Sequence, residues 1–453
     1  MKIIVCGAGS VGRSIVSYLI QGNNDIVVID NDPKALEVIS KEFDIQPILG
    51  EAAHPDILEK AGAAGTDMLL AVTDRDEVNM VACEVAAALF NVQKKIARID
   101  AQEYLNPLWA PLYNDKHIPV DLVISPEIEI AKAILDMIKI PGASEVISLA
   151  HNSIHLLAFR CDDHTPLIKT PLLQLERIAP DLNINICCII RNGTAFIPNA
   201  ETSLMSGDLV YFLVKTEDIE TAVHDFGMER NAIERVILFG GNLIVRYLAE
   251  QLENDDNILS CKIIDDDDRS ARLLARELDN TIVINGEMMS DVILNEAGIT
   301  NADATIAVTP RDKDNLLVSL LSKHSGVVNT VALVNSGSYN NLTENLGDNI
   351  LVDRSAVTIS SILQELRKAK ISDAYSIGRG FGEVWEIEID SQSINADKKI
   401  KDIGLPDGSE ICALYRDGEV SFPNRETVLK AGDLIILYVG TKGIRKAERL
   451  FAA

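Results

Sequence analysis

Across the first 125 residues, short runs that are apolar at nearly every position alternate with stretches whose apolar residues recur at helical spacing. The runs are Ile3-Ile4-Val5-Cys6, Ile26-Val27-Val28-Ile29, Pro47-Ile48-Leu49, Met68-Leu69-Leu70-Ala71-Val72, Lys95-Ile96-Ala97 and Asp121-Leu122-Val123-Ile124. Nearly continuous apolar strands of this kind belong to a parallel sheet covered on both faces. Between the first two runs, Val11, Ile15, Tyr18 and Leu19 fall on one helical face. Asp32 followed by Pro33 predicts an N-cap and a first-turn proline for the next helix. The alternation predicts a doubly wound β/α domain. Ser125-Pro126-Glu127 then opens a helix with Ile130, Ile134 and Ile138 at intervals of four, which Pro141-Gly142 ends. So apolar a stripe predicts a crossover helix and a seam, either against a partner or within the chain.

Residues 145–225 have another texture, with short strand-like runs and turn pairs such as Asn192-Gly193 and Ser206-Gly207. They predict a small α+β module. The whole pattern then repeats. Lys2-Ile3-Ile4-Val5-Cys6-Gly7 is echoed by Arg235-Val236-Ile237-Leu238-Phe239-Gly240, Ile29-Asp30 by Ile264-Asp265, and Ala71-Val72-Thr73 by Ala307-Val308-Thr309. The small module repeats without a gap: Arg191-Asn192-Gly193 matches Arg416-Asp417-Gly418, and Gly207-Asp208-Leu209 matches Gly432-Asp433-Leu434. The expected fold class is α/β: two doubly wound Rossmann-like parallel-sheet domains, each followed by a small α+β module. The expected boundaries are 1–140 and 232–368 for the Rossmann domains, and 143–227 and 370–453 for the small modules.

Gly7-Ala8-Gly9-Ser10-Val11-Gly12 is a GxGxxG turn between a predicted strand and a predicted helix. In that setting the first glycine makes the turn, the second admits a pyrophosphate, and the third lets helix and strand pack closely. The helix N-terminus then faces the phosphates. Asp30 ends the second strand, where a carboxylate binds ribose hydroxyls and repels a 2′-phosphate, which argues against NADP. Thr73-Asp74 closes the fourth strand at the same sheet edge, and Arg98 ends the fifth, where it could supply a cation for phosphate. For these three an ordinary turn or a surface ion pair is the alternative. His54 before Pro55 reads as a helix N-cap, in the place of Ser290 in the repeat, rather than as a catalytic group. The second half departs at these positions: Gly9 becomes Asn242, Gly12 becomes Val245, Asp74 becomes Pro310 and Arg98 becomes Leu333. A Cβ in place of Gly9 stands where pyrophosphate must come close, so weaker binding is expected there.

Composition narrows the partners. With 42 Lys plus Arg against 68 Asp plus Glu, the net charge is −26. That balance disfavours nucleic acid and direct lipid binding, both of which select positive patches. The seven cysteines form no CxxC pair and read as buried, reduced thiols. No apolar run approaches the roughly 18 residues needed to cross a bilayer. No Ser-His-Asp, Cys-His or metal-ligand cluster is visible, and the second small module contains no histidine. An enzyme is therefore not expected.

The A–B–A′–B′ order resembles the duplicated RCK (regulator of potassium conductance) family over essentially the whole chain. The resemblance rests on the glycine turn, Ile29-Asp30, Gly50-Glu51-Ala52-Ala53-His54-Pro55-Asp56-Ile57-Leu58, Ala71-Val72-Thr73, Glu77-Val78-Asn79-Met80 and both Gly-Asp-Leu turns. It implies that Gly7 to Val11, Asp30, Thr73, Asp74 and Arg98 line a pocket for NAD or NADH, with ATP or ADP possible. It further implies a cytosolic regulatory subunit of a membrane-embedded potassium transporter, forming a homo-oligomer, a dimer or a tetramer. Such a subunit would be cytoplasmic, held at the inner face of the membrane through its protein partner. An NAD-dependent oxidoreductase, or a regulator of a different channel or transporter, is the alternative.

Overall fold

The computed structural model describes residues 1–21, 24–105, 107–114, 116–140, 142–174, 177, 179, 182–227, 232–334, 350–366, 371–378 and 380–451. The helix stop at Pro141 and the expected limits at 368, 370 and 453 lie outside them. The chain packs as two compact units, one of Met1–Glu129 with Val357–Glu365, the other of Ile130–Ala356 with Leu366–Ala453.

In the first unit the six expected strands form β1 (Lys2–Cys6), β2 (Asp25–Asp30), β3 (Gln46–Leu49), β4 (Met68–Ala71), β5 (Lys94–Arg98) and β6 (Leu122–Ile124). They build one sheet in the order β3-β2-β1-β4-β5-β6, with every neighbouring pair parallel. This is the doubly wound order, in which ligands gather at the carboxyl edge where the strand order reverses. Helices α1 (Ser10–Gln21), α2 (Pro33–Glu42), α3 (Pro55–Lys60), α4 (Asp76–Phe90) and α5 (Gln102–Leu105) connect the strands, and α6 (Pro126–Lys139) follows the last. Asp32 caps α2 as expected, its side chain accepting from Lys34 N, with Pro33 in the first turn. β1 and β4 are buried almost throughout, but β3 is not. It is the edge strand, so Leu49 stands largely exposed where full cover was expected.

One local expectation needs correcting, and one is decided between its two alternatives. His54 occupies the N-cap position of α3 yet makes no side-chain cap bond, and neither does Ser290 in the repeat. The turn before α3 is closed through the backbone instead, His54 N donating to Glu51 O at 3.1 Å. The Ile130, Ile134 and Ile138 stripe is buried within the single chain, so it is not an open partner surface.

The small modules are antiparallel sheets. The first comprises β7 (Glu145–Leu149), β8 (Ile154–Arg160), β9 (Ile184–Arg191), β10 (Thr194–Phe196) and β11 (Leu209–Lys215), ordered β10-β9-β11-β8-β7, followed by α7 (Ile219–Asp225). Asn192 and Gly193, both with positive φ, make the two-residue turn joining β9 to β10. The strand ends are tied by Arg191, whose guanidinium forks onto the fully buried Asp208 at 2.7 Å through both Nε and Nη2.

The second Rossmann sheet contains β12 (Arg235–Phe239), β13 (Ser260–Asp265), β14 (Ile282–Asn285), β15 (Ala304–Ala307), β16 (Asn329–Val334) and β17 (Ile350–Asp353). Its order, β14-β13-β12-β15-β16-β17, repeats the first. Its helices are α8 (Leu243–Glu253), α9 (Asp268–Glu277), α10 (Asp291–Ala297), α11 (Asp312–His324) and α12 (Arg354–Leu366). The last module, β18 (Ile371–Ile377), β19 (Gly382–Glu388), β20 (Ser409–Arg416), β21 (Glu419–Ser421) and β22 (Leu434–Gly440) with α13 (Ile444–Phe451), repeats the first module strand for strand. Arg416 and Asp433 form the same fork. The two antiparallel sheets share one core, in which Leu156, Cys187 and Tyr211 of one pack with Val384, Cys412 and Tyr438 of the other.

Candidate functional site

The glycine turn leaves β1 at the carboxyl edge of the first sheet, and each glycine has a separate physical reason. Gly7 has φ +112°, and a Cβ there would lie 2.8 Å from Val72 O, so only glycine turns the chain at this point. Gly12 lies in the first turn of α1, where a Cβ would stand 1.9 Å from Gly7 O; its absence lets the helix seat on the loop. Gly9 is different. A Cβ there meets nothing within 4 Å, so the fold itself does not require glycine. Gly9 and Ser10 are exposed, Ala8 and Val11 are buried beneath them, and Arg13 N donates to Gly9 O at 2.9 Å to start the helix. The result is a shallow open cradle under the positive end of α1.

Asp30 lies beside it. Its Oδ2 accepts from Ala8 N at 2.6 Å and its Oδ1 from Asp32 N at 2.7 Å, which fixes a partly exposed carboxylate against the turn. Thr73 follows β4 on the same edge, its N and Oγ1 donating to Asn79 Oδ1 at 2.9 and 2.7 Å. Asp74, beyond it, is exposed. Arg98 ends β5 but its guanidinium is already engaged, with Asp100 at 2.6 Å and Glu127 at 3.1 Å. Burial opposes its charge, yet Glu127 and Asp100 together raise its pKa above the ordinary arginine value. Burial in turn raises the Asp100 carboxyl against the opposing pull of Arg98. Gly7 to Gly12, Asp30, Thr73 and Asp74 thus share the open edge, whereas Arg98 faces two carboxylates.

Asn79 was not among the expected site residues. It is fully buried in α4, and its Nδ2 donates to Thr73 O at 3.1 Å and to Arg98 O at 2.9 Å. One amide therefore ties the ends of β4 and β5 together behind the cradle. Asn315 makes the same four bonds in the repeat, to Thr309 N, Oγ1 and O and to Leu333 O. A polar residue six positions after the strand-end threonine in both halves is the signal that finds it. Among the described residues there is no cluster of three or more His, Cys, Asp or Glu able to hold a metal, and no helix long and apolar enough to cross a membrane.

In the second half Gly240 keeps the turn, with φ +118° and its N–H on Ile264 O at 3.0 Å. Asn242, Val245, Pro310 and the buried Leu333 stand where Gly9, Gly12, Asp74 and Arg98 stand in the first.

Two doubly wound halves, each followed by an antiparallel module, with an open glycine turn in the first half, define a duplicated Rossmann-fold protein. The solved structure of the GsuK RCK domain superposes on the chain with a TM-score of 0.63 at 18% identity, covering 100% of this chain and 95% of that one. The GsuK channel bound to NAD does so at 0.61 and 16%, covering 100% and 79%. A family model for the TrkA-N domain matches residues 3–126 and again 236–353, and one for the TrkA-C domain matches residues 384–452. The Trk system potassium uptake protein TrkA of Azorhizobium caulinodans is 35% identical over 451 residues, which cover 100% of this chain and 98% of the relative. That of Vibrio alginolyticus is 33% identical over 455 residues, with 100% and 98% covered. The chain belongs to the TrkA family of Trk system potassium uptake proteins.

Proposed function

We propose that this chain is a nucleotide-sensing regulatory subunit of a membrane-embedded potassium transporter, binding NAD, NADH or an adenine nucleotide in its first Rossmann half. The observation that carries the reading is Gly9: the one turn glycine that nothing in the fold requires is the one a pyrophosphate needs. Gly7 to Gly12 would cradle the phosphates, Asp30 would take ribose hydroxyls, and Thr73 and Asp74 would border the ligand. Arg98 would reach a phosphate only by exchanging Asp100 or Glu127 for it. The names of the relatives support potassium uptake, and GsuK channels bound to NAD and to ADP support a nucleotide ligand. When bound, the nucleotide supplies differential contacts between two conformations, which is all a regulator requires.

The four segments 1–140, 143–227, 232–368 and 370–453 would act as paired sensor and coupling modules. The chain would assemble as a dimer or tetramer on its symmetric partner. With a net charge of −26 it would stay cytoplasmic and reach the membrane through that protein. The test is titration of the full chain with NADH, NADPH, ADP and ATP, alongside incubation with NADH and a panel of carbonyl compounds. Saturable binding of NADH or an adenine nucleotide, with NADPH discriminated against and no turnover, is expected. Turnover of NADH would overturn the regulator reading in favour of an oxidoreductase.

A further inference from the structure

The cradle of the second half is filled from within. Asn242, in the place of Gly9, caps α8: its Oδ1 accepts from Val245 N at 3.2 Å while its Nδ2 donates to Val308 O at 2.5 Å. The side chain therefore spans from the helix N-terminus to the end of β15, across the equivalent of the space left open at Gly9. Asp265, in the place of Asp30, is turned inward. It is only 3% exposed and accepts from the hydroxyl of Ser270 in α9, with Asp267 N at 3.4 Å. A Cβ on Gly241 would lie 2.1 Å from Asp265 Oδ2, so glycine at that position is what lets the carboxylate lie there. The first half has Ala8 and Ala35 in the places of Gly241 and Ser270, and Asp30 stays partly open on Ala8 N.

We infer that the second half excludes nucleotide by intramolecular mimicry rather than by simple loss of glycines. The Asn242 amide oxygen takes the helix N-terminal N–H that a phosphate oxygen would take. The Ser270 hydroxyl donates to the strand-end carboxylate as a ribose hydroxyl would. Both groups a nucleotide needs are satisfied internally, and a ligand entering would have to break these bonds for ones no better. The second half is thereby a fixed, self-satisfied counterpart to the sensing half, and each chain takes one nucleotide. This rests on the reading that the first cradle takes NADH or an adenine nucleotide.

The test counts NADH and ADP bound per full-length chain by equilibrium dialysis. The arms are wild type, Asp30→Ala, the pair Asn242→Gly with Ser270→Ala, and all three together, each checked for folding by thermal unfolding. One equivalent is expected for wild type, at least a tenfold weaker event for Asp30→Ala, two for the pair, and one for the triple variant. Should the pair fail to fold, Asn242→Gly alone is expected to add a second, weaker binding event. A folded pair, or folded single variant, that binds no more than wild type overturns the inference, as does a wild type that fills both halves. Wild type binding nothing while the pair binds one equivalent would uphold the inference and overturn the reading of the first cradle.

Discussion

Gly9 and Gly12 sit three residues apart in one motif, yet the structure assigns them opposite duties, and alanine at each separates fold from ligand. At Gly12 the new Cβ would stand 1.9 Å from Gly7 O and 2.9 Å from Gly7 C, both backbone atoms that no rotamer change relieves. The helix must lift off the loop, an overpacking of about 1–3 kcal/mol. At Gly9 the new Cβ meets nothing within 4 Å. Folding stability should then stay within about 1 kcal/mol of wild type, with a small gain from restricting the unfolded chain. The same methyl stands where pyrophosphate must approach the backbone, so nucleotide affinity should fall at least about tenfold, or 1.4 kcal/mol. Urea unfolding of full-length variants reads the first quantity, and calorimetric titration with NADH and ADP the second. Gly9→Ala with wild-type affinity and an intact fold would refute the cradle. Gly12→Ala as stable as wild type would refute the packing argument.

Three further outcomes follow from the same geometry. Asn79→Ala removes four hydrogen bonds behind the cradle and strands partly buried backbone groups of Thr73 and Arg98, so chemical unfolding should show a loss of about 2–4 kcal/mol. Burial raises the pKa of Glu386, whose Oε1 accepts from Ala150 N of the facing module, with Asp373 raising it further and His151 opposing. The folded form thus holds its proton more tightly than the unfolded form, and stability rises as pH falls from the raised value toward the ordinary one. The thermal midpoint of wild type should therefore gain on that of Glu386→Gln between neutral pH and about pH 5; a constant gap would contradict this. Sedimentation of the purified chain should give a dimer or tetramer, and a monomer at micromolar concentration would count against assembly on a symmetric partner.

The strands of the first Rossmann sheet could be read from sequence because parallel strands covered on both faces leave nearly continuous apolar runs, as in Met68 to Ala71. The duplication was readable for the same reason, since fold-determining positions such as Gly7 and Gly240 recur in register. Contacts were not. The period-four stripe through Ile130, Ile134 and Ile138 announces a buried face but carries nothing about what covers it, and here the chain covers it itself. Arg98 at a strand end reads as a cation for phosphate, but the carboxylate of Glu127, 29 residues away, claims it. Asn79 stands in the sequence only as one residue of Glu77-Val78-Asn79-Met80, and its role emerges when the fold brings two strand ends against it. In the second half the missing glycines were visible, while the filling of the cleft by Asn242 depends on where one side chain points. His54 marked a helix start correctly without capping it, because a cap position is defined by backbone and need not use its side chain.

Potassium flux measures most directly whether nucleotide in the first half governs a potassium transporter. The native membrane partner is reconstituted in vesicles with the full-length chain, and potassium flux is followed while NADH, ADP or ATP is titrated. With wild type, flux should change saturably with at least one of these nucleotides. With Asp30→Ala, which still docks, the response should shift to at least about tenfold higher nucleotide or vanish. An identical response in the variant, or none in wild type, would contradict the account.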